Sequence, residues 1–454
     1  MPKIIGNIVG SLTPVIKNDD VQRWNLASNI VLKDFPKTWE DVQTIVRSGL
    51  AQQYFSVGDK FMVYVLSGLT TSIKNGSGVT GVMVDRSAFI NKLGEIPRDE
   101  KQFTYDAKFW RDNNGNIVDI GDFGITIGGT PVDGDYIVIT PSVTWRTFIV
   151  IGFDQETPAD SNYTHSMTLQ LETSLGSFSF DTKEATWYID EETFSLGLLP
   201  MKYSFMVGSS SYCFTTTKHV PVGGQVVLNQ SAMVVETYES AYDKQNIELV
   251  SVEVGSGGTE LPAVNTNTDD KNVNSLNRVN YGSDNWAESD VRVWINSDGS
   301  AGSWWEPKSV FDRVPTRASS ANGFLYCVDP SFISVIGEVK KTTQRGFTDG
   351  YGLANSTERF FLPSVAEVFG ISQRPEDGMD GEAYTYYGAE YSDFSSPNDG
   401  ADTNRIKGST NWWLRSASTD TVGGYATRYV KTNGQIYRGS SYNGLAIHPV
   451  CAIV

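Results

Sequence analysis

Cysteine is scarce in this chain of 454 residues. Its three cysteines, Cys213, Cys327 and Cys451, are far apart and show no C-x-x-C spacing. The pattern therefore gives no indication of a zinc site or of a dense disulfide framework. We expect three buried free thiols instead.

Histidine is equally scarce. His165, His219 and His448 lie in three separate segments without the spacing of metal ligands, and no G-x-x-x-x-G-K-[ST] sequence offers a phosphate-binding loop. We therefore expect no catalytic residue, no metal and no cofactor. His448 directly precedes Pro449, and we expect it to be a hydrogen-bonded histidine at the end of a strand.

Basic residues are too few to favour binding to nucleic acid. The chain has 36 Lys and Arg against 53 Asp and Glu, which gives a formal charge of −17. This charge repels a phosphate backbone, and no run of Lys or Arg compensates for it locally. The sequence also contains no stretch of about twenty apolar residues, so we expect no membrane span. Nor do its first residues, with Pro14 and charges soon after them, suggest a secretory signal.

Aromatic and glycine residues, in contrast, are plentiful. Hydrophobic residues make up 39% of the chain, aromatic residues make up 12%, and there are 43 glycines. This composition is too apolar for a disordered protein and indicates a folded, β-rich one. At this length the chain is expected to divide into several domains.

Two segments carry helix signals. Thr38 is a candidate N-cap for a helix that ends near Gly49, with one apolar face made of Trp39, Val42, Ile45 and Val46. A second helix is predicted over 286–295, with Asp284 or Asn285 as its cap.

Most of the remaining pattern is typical of strands. Residues 54–63 and 147–154 are predicted to pair, which makes the short strands of 64–146 an inserted β module. Within the module, Asp112–Asp119 resembles a calcium loop, but its glycine stands at the fourth position rather than the sixth, so we expect a plain hairpin. Residues 186–264 are predicted to form antiparallel strands, and 265–272 a polar loop.

The C-terminal segment combines an aromatic anchor with small polar residues. Trp412 and Trp413 are adjacent in a predicted strand and must face opposite sides, so we expect both faces of the strand to be covered. The segment 427–438 is predicted to be a hairpin with a type I′ turn at Asn433 and Gly434.

These motifs, taken in order, resemble a known family. They resemble a C-type-lectin-like domain found in phage virion proteins, similar to the ligand-binding domains of phage tropism determinants and of formylglycine-generating enzymes. The motifs that carry the resemblance are Tyr281-Gly282-Ser283-Asp284-Asn285-Trp286, Arg292-Val293-Trp294-Ile295-Asn296, Phe360-Phe361-Leu362-Pro363-Ser364, Asn411-Trp412-Trp413-Leu414-Arg415-Ser416 and Asn443-Gly444-Leu445-Ala446-Ile447-His448-Pro449. The chain lacks the paired reactive cysteines of the enzyme branch.

The resemblance implies an α+β, β-rich fold, namely a C-type-lectin-like domain with an inserted small antiparallel β module and additional strands like those of a β-sandwich. The expected divisions are 1–37 (N-terminal attachment segment), 38–63 plus 147–185 (first part of the lectin-like region), 64–146 (inserted module), 186–264 (antiparallel β region) and 265–454 (lectin-like domain).

The same resemblance implies a structural protein at the virion surface, made in the host cytoplasm and engaging a host glycan or protein through its C-terminal surface. Tyr side chains suit such contacts because they offer a large contact surface with few rotatable bonds, and Ser and Asn side chains form hydrogen bonds that adapt to the ligand. The expected ligand-binding residues are Ser418, Thr419, Asp420, Tyr425, Thr427, Tyr437, Arg438, Ser440, Ser441, Tyr442 and Asn443. Other virion proteins of the capsid or tail are expected partners, and a homotrimeric fibre would multiply weak contacts.

Two alternatives remain open at this point. The chain could be a capsid or tail decoration protein that stabilises the particle without binding a receptor. It could also be a virion-associated hydrolase that uses carboxylates of the tyrosine-rich segment, although a solvated acidic loop explains these residues equally well. The carboxylates concerned are Glu376, Asp377, Asp380, Glu382, Glu390 and Asp393.

Overall fold

The computed structural model describes residues 4–7, 36–74, 78–182, 186–190, 201–207, 210–215, 225–227, 233–235, 247–250, 252–254, 257–260, 282–306, 314–346, 349–388, 403–419 and 426–454. Strand residues outnumber helical residues in these ranges, so the predicted β-rich character is confirmed. None of the helices within them has the length and apolar character needed to cross a bilayer.

The strands are numbered in chain order. They are β1 Ile4–Asn7, β2 Lys60–Lys74, β3 Val79–Val84, β4 Lys101–Asp106, β5 Phe109–Arg111, β6 Ile117–Val118, β7 Ile125–Gly129, β8 Tyr136–Phe153, β9 Thr157–Pro158, β10 Met167–Leu171, β11 Ser177–Ser179, β12 Thr186–Asp190, β13 Lys202–Val207, β14 Ser210–Thr215, β15 Gln225–Val227, β16 Met233–Val235, β17 Ile247–Val250, β18 Val252–Val254, β19 Thr259–Glu260, β20 Ile336–Gly337, β21 Val339–Gln344, β22 Leu353–Glu358, β23 Phe360–Phe361, β24 Trp412–Ala417, β25 Ala426–Val430, β26 Ile436–Ser440, β27 Gly444–Ala446 and β28 Val450–Ile453.

The helices are short and lie between these strands. They are α1 Trp39–Arg47, α2 Ala51–Tyr54, α3 Arg86–Leu93, α4 Asp290–Ile295, α5 Pro330–Val335 and α6 Val365–Phe369, with 3-10 turns at Ile120–Phe123, Thr385–Tyr387 and Thr403–Arg405.

Helix α1 begins where the sequence predicts. The Thr38 hydroxyl accepts a hydrogen bond from the Asp41 amide at 3.1 Å, and the Asp41 carboxylate accepts one from the Thr38 amide at 3.0 Å. This reciprocal capping box satisfies two N–H groups that have no partner inside the helix. The four residues of the predicted apolar face are all buried: Trp39, Val42, Ile45 and Val46. The prediction of this helix is confirmed.

The largest sheet contains the predicted pairing of 54–63 with 147–154. Strands β2 and β8 run antiparallel, with Lys60 opposite Ile149 and Phe61 opposite Phe148. The pairing starts at Lys60 rather than earlier, because 51–54 form α2. The pairing of β2 with β8 continues into the inserted segment, as far as Lys74 opposite Tyr136, and β4 pairs there with the other edge of β8.

The inserted segment has a hydrophobic cluster of its own. The buried members of this cluster are Val79, Phe89, Phe103, Trp110, Ile120, Ile125, Ile137 and Ile139. The loop that resembles a calcium site is the predicted plain hairpin between β5 and β6, in which one oxygen of Asp112 accepts the amide hydrogens of Asn114 and Asn116, each at 2.9 Å. The carboxylate therefore fixes the turn.

The main core joins α1 to the C-terminal strands. Strand β28 lies between β10 and β20 in the large sheet, while β24 belongs to a five-stranded sheet ordered β11, β27, β24, β25, β26. Trp412 and Trp413 are both fully buried and belong to this core. The expectation that both faces of their strand are covered is confirmed.

The C-terminal hairpin forms, but its turn differs from the prediction. Strands β25 and β26 pair antiparallel, from Ala426 opposite Ser440 to Val430 opposite Ile436. Only Gly434 of the Asn-Gly pair has a positive φ angle, of 83°. A type I′ turn needs positive φ at both residues, so that prediction is wrong. The loop is longer, closing with a hydrogen bond from the Lys431 amide to the Gln435 carbonyl.

The second predicted helix starts later than expected. Helix α4 begins at Asp290 and is capped by Ser289, whose hydroxyl accepts the Arg292 amide hydrogen at 3.3 Å. Residues 286–288 form turns instead, with the Asn285 side chain accepting the Ala287 amide hydrogen at 3.1 Å. The predicted caps at 284 and 285 were therefore wrong, because Asn285 caps a local turn.

The middle of the chain mixes both strand directions. Strands β13 and β14 pair antiparallel as predicted, but β12 with β17 and β14 with β19 are parallel. The expectation of a purely antiparallel region was wrong in that respect. The predicted polar loop at 265–272 lies outside the described residues. All three cysteines are free and buried, which confirms that prediction.

Candidate functional site

A cleft opens beside the C-terminal sheet, between β11, α4 and the chain around 304 and 314–317. Its volume is about 490 Å³, within the range of small-molecule sites. Its rim is open to solvent at Ser177, Thr316 and Tyr442. The residues that line it are Ser177, Phe178, Ser179, Thr182, Asp290, Val291, Trp294, Trp304, Val314, Pro315, Thr316, Arg317, Tyr442 and Gly444.

Aromatic rings form the floor of the cleft. The rings of Phe178 and Trp294 are 4.1 Å apart between centroids. The indole N–H of Trp294 donates to the Asn322 carbonyl at 2.9 Å, and that of Trp304 donates to the Ala321 carbonyl at 2.7 Å. These bonds fix the rings and satisfy their only donors. The two indoles therefore contribute carbon surface to the cleft rather than free polar groups.

One carboxylate stands at the edge of this floor, held in place by backbone and indole donors. One oxygen of Asp290 accepts the Trp305 indole hydrogen at 2.9 Å, and the other accepts the Thr182 amide hydrogen at 2.8 Å. The Asp290 amide in turn donates to Asp181 at 3.2 Å. Since both oxygens of Asp290 have protein donors, its position is fixed before any ligand arrives.

One cation also lines the cleft. The guanidinium of Arg317 stacks over the ring of Phe178, 4.0 Å from its centroid. Within the described part of the chain, the guanidinium of Arg317 makes no ion pair and no hydrogen bond, while its backbone carbonyl accepts the amide hydrogens of Ser320 and Ala321. Stacking therefore holds the guanidinium plane while leaving its N–H groups available to a ligand.

The predicted ligand-binding residues divide into an exposed and a buried group. Tyr437 is 54% exposed and Tyr442 is 37% exposed, and Tyr442 lines the cleft. Four more are half-buried: Thr419, Arg438, Ser440 and Asn443. Asp420 and Tyr425 lie outside the described residues.

The remaining three predicted residues are fully enclosed. Ser418, Thr427 and Ser441 are buried, and the hydroxyls of Thr427 and Ser441 are 2.8 Å apart. This hydrogen bond joins β25 to the turn after β26, so the two hydroxyls stabilise the hairpin and do not reach its surface. Ligand binding by the exposed members stays a prediction.

Most of the cleft could not be predicted from the sequence. Trp304 and Arg317 lie outside any regular strand or helix, and Phe178 belongs to a strand of three residues. The pairing of β11 with β27 places Phe178 opposite Leu445, beside Gly444 of the same cleft. The Trp304-Trp305 pair was the signal that could have directed attention to this region.

A buried network of charges lies elsewhere, beneath the C-terminal strands. Lys341 is 2.7 Å from Glu156 and also contacts Glu367, which Arg415 holds through both guanidinium nitrogens. Burial raises the pKa of Glu156. Burial acts in the same sense on Glu367, but Arg415 and Lys341 outweigh it and lower its pKa to about 2. The network therefore contains an ionised Glu367 between two cations.

The network also contains part of the predicted acidic loop. Asp380 is 3% exposed and accepts hydrogen bonds from the Ser416 hydroxyl at 2.5 Å and from the Ala366 amide at 3.1 Å. The expectation of a solvated loop was wrong for this residue, because its carboxylate ties α6 to β24. Glu376 and Asp377 both pair with Arg374, at 2.7 and 3.1 Å. Glu390 and Asp393 lie outside the described residues.

The histidines are placed separately. His448 is buried two residues before β28. Its Nδ1 atom is 3.0 Å from the Leu171 carbonyl oxygen, as expected, but its Nε2 atom is buried without a hydrogen-bond partner among the described residues. Burial lowers its pKa to about 3. His165 faces Asp154 at 3.2 Å, and His219 lies outside the described ranges. Within those ranges no three His, Cys, Asp or Glu side chains are grouped to hold a metal ion.

Comparison with known proteins identifies one related family. Residues 262–454 match a family described as "Domain of unknown function (DUF6273)". The match covers less than half of the chain and includes Asp290, Arg317 and Tyr442, but not Phe178 of the same cleft. No curated protein and no solved structure matches the chain.

Proposed function

We propose that this chain is a non-enzymatic binding protein whose cleft holds a sugar of the bacterial cell surface. The observation that carries the proposal is the combination of a fixed aromatic floor with polar groups at the rim. A sugar ring presents C–H surface on its faces and hydroxyls at its edges, and this cleft offers a counterpart to both. The floor is made by Phe178, Trp294 and Trp304, and the rim by Ser177, Thr316 and Tyr442.

Pre-organisation supports the same function. The indoles of Trp294 and Trp304 and the carboxylate of Asp290 are already hydrogen-bonded to the protein. A ligand therefore does not have to order these side chains, and less of its binding free energy is lost to entropy.

The setting we propose is the surface of a bacteriophage virion. Support comes from the ordered motifs that resemble the C-type-lectin-like domains of phage virion proteins, among them Trp286, Trp294 and the pair Trp412 and Trp413. A homotrimeric fibre would present several copies, so that weak individual sites act together through a high effective concentration. The C-type-lectin-like fold and the trimer belong to this proposal.

A decoration or stabilising role is the second candidate, favoured by the surface of the inserted segment. Met83, Phe109 and Ile117 are 72%, 51% and 57% exposed there. Large exposed apolar side chains are typical of surfaces that contact other proteins when they are contiguous. The capsid or tail of the particle would supply such a partner. This role and glycan binding are compatible, since they use different parts of the chain.

The experiment is an adsorption and binding assay with the purified protein. We expect it to bind host cells and extracted envelope glycans, and excess protein to reduce phage adsorption. Absence of binding together with unchanged adsorption would contradict the receptor function. Particles that lose heat or osmotic stability without the protein would favour decoration, and release of soluble envelope fragments would favour a hydrolase instead.

A further inference from the structure

We infer that the cleft selects a sugar that carries a carboxylate, and that Arg317 is the residue that recognises it. The inference rests on the proposed binding function and adds the ligand class. Acidic sugars of the uronic and ulosonic acid types have this chemistry. Their ring suits the aromatic floor, and their carboxylate provides the partner that Arg317 lacks among the described residues.

The geometry of Arg317 favours a planar anion. A guanidinium presents N–H donors in a fixed fork that matches the two oxygens of a carboxylate, and such bidentate bonds are stronger than neutral ones. Stacking at 4.0 Å over Phe178 fixes the plane of this fork without using its donors. An ammonium group in the same place would act as a point charge and would recognise the anion less specifically.

The other charge of the cleft does not cancel this preference. Asp290 is bound on both oxygens by the Thr182 amide and the Trp305 indole, so its charge is partly compensated by the protein. Arg317 has no equivalent compensation in the described residues. The net charge of −17 repels anions at long range, but salt screens that field over about 8 to 10 Å at ordinary ionic strength. A direct ion pair in a cleft is screened much less.

Small neighbours leave room for the ligand beside the guanidinium. A Cβ atom built on Gly176 would lie 3.9 Å from both terminal nitrogens of Arg317, in ordinary contact. Ser177 follows Gly176 and is exposed, and Thr316 precedes Arg317 and is exposed too. Both residues line the cleft with Arg317, and we expect their hydroxyls to bond to the hydroxyls of a sugar whose carboxylate is held by Arg317.

The test uses the full chain and an array of immobilised bacterial-surface oligosaccharides. The array contains oligosaccharides with uronic or ulosonic acids, the same compounds after reduction of each carboxyl to a primary alcohol, and neutral oligosaccharides. Arg317→Gln removes the charge and Arg317→Lys keeps it without the fork. Arg111→Gln is the control, because it removes one half-exposed arginine charge from the inserted segment.

We expect acidic oligosaccharides to bind and their reduced forms to bind about tenfold or more weakly. Arg317→Gln should lose the same factor in affinity for the acidic compounds and keep its affinity for the others. The affinity of Arg317→Lys for acidic compounds should lie between those of Arg317→Gln and the parent chain. Arg111→Gln should bind as the parent chain does. Unfolding temperatures of the variants separate loss of contact from loss of fold.

Two results would overturn the inference in distinguishable ways. If neutral and reduced compounds bind as well as acidic ones, or if a folded Arg317→Gln variant keeps its affinity for acidic compounds, the ligand class is wrong while the binding function stands. If no oligosaccharide of any class binds, the proposed function fails and the inference fails with it.

Discussion

Arg415 holds both carboxylate oxygens of Glu367, with Nη2 at 2.8 Å from Oε1 and Nη1 in contact with Oε2. Both side chains are fully buried. Arg415 also donates to the Thr343 hydroxyl at 3.1 Å and to backbone carbonyls, including that of Leu362 at 2.8 Å. This pair therefore joins helix α6 to strand β24, next to the tryptophans that form the frame of the C-terminal region.

Breaking this pair should destabilise the fold strongly. We expect Arg415→Met to lower the free energy of unfolding by about 3 to 5 kcal/mol, since it leaves the buried charge of Glu367 without its main partner. Urea unfolding measures the loss. Lys92→Met, which removes an exposed pair with Asp122, should cost at most about 1 kcal/mol.

A double variant separates the pair from the packing around it. Glu367→Gln combined with Arg415→Met should be more stable than the sum of the two single losses predicts, because no uncompensated charge remains between these positions. Strictly additive losses would mean that the two side chains act independently.

The stability of the chain should depend on pH through Asp329. This residue caps α5, with one oxygen accepting the Ser331 amide hydrogen at 2.9 Å and the other buried without a partner among the described residues. Burial raises its pKa from 3.8 to about 6. At pH values between these two pKa values, the folded chain keeps a proton on Asp329 that the unfolded chain has released. The contribution of Asp329 to the free energy of unfolding therefore falls as pH rises from about 4 to about 6.

The variant Asp329→Asn removes that titration and keeps a capping oxygen. Relative to the parent chain, we expect the variant to gain stability as pH rises from 4 to 6, by up to about 3 kcal/mol, and to show no further relative change above pH 6.5. Urea unfolding at several pH values measures the difference in free energy of unfolding between the variant and the parent chain. Other titrating groups, such as His448, affect both chains equally and do not contribute to this difference. A difference that stays constant across this range would mean that Asp329 is ionised in the folded chain.

The signals that could be found in the sequence are local ones. Thr38 and Asp41 lie three residues apart and cap α1, and the alternation of a strand places Trp412 and Trp413 on opposite covered faces. Local signals can also compete. Ser289, rather than Asn285, caps α4, and the Asn-Gly pair belongs to a longer loop because β25 ends at Val430 and β26 begins only at Ile436.

The buried charge network and the cleft could not be found in this way, because both depend on residues that are distant in the chain. Lys341 and Glu156 are 185 residues apart, yet they form a buried ion pair. The cleft likewise joins Phe178 to Arg317 and Tyr442, and no periodicity of the sequence relates these positions. Among the predicted ligand-binding residues that the structure describes, Tyr442 is the one that lines the cleft.

The two exposed tyrosines of the C-terminal surface should contribute differently to binding. Tyr442 lines the cleft, whereas Tyr437 is more exposed but pairs with Tyr429 on the hairpin, 5.7 Å between ring centroids. We expect Tyr442→Ala to weaken glycan binding about fivefold to tenfold and Tyr437→Ala to change it by less than about twofold. Titration calorimetry with a glycan that binds the parent chain measures both, and the reverse order would place the site on the hairpin.

The inserted segment should be dispensable for that binding. Its cluster around Phe89, Phe103 and Trp110 is separate from the main core that carries the cleft. Replacing residues 69–140 by a two-residue Asn-Gly turn should keep glycan affinity within about twofold, while unfolding occurs at a lower temperature because Leu66 and Cys327 lose their contacts with Ile90 and Ile96. Lost affinity in a folded deletion variant would assign the segment a part in the site.

The most direct test of the account is to fill the cleft without altering its core. Thr316 is exposed at the rim, so Thr316→Trp adds bulk there, and Thr432→Trp adds the same bulk at the exposed turn between β25 and β26. Binding of host envelope glycan is measured for both variants, with unfolding temperature as the check on folding. The account predicts that Thr316→Trp loses binding while Thr432→Trp keeps it, both at the parental unfolding temperature. Parental affinity in a folded Thr316→Trp variant would contradict it.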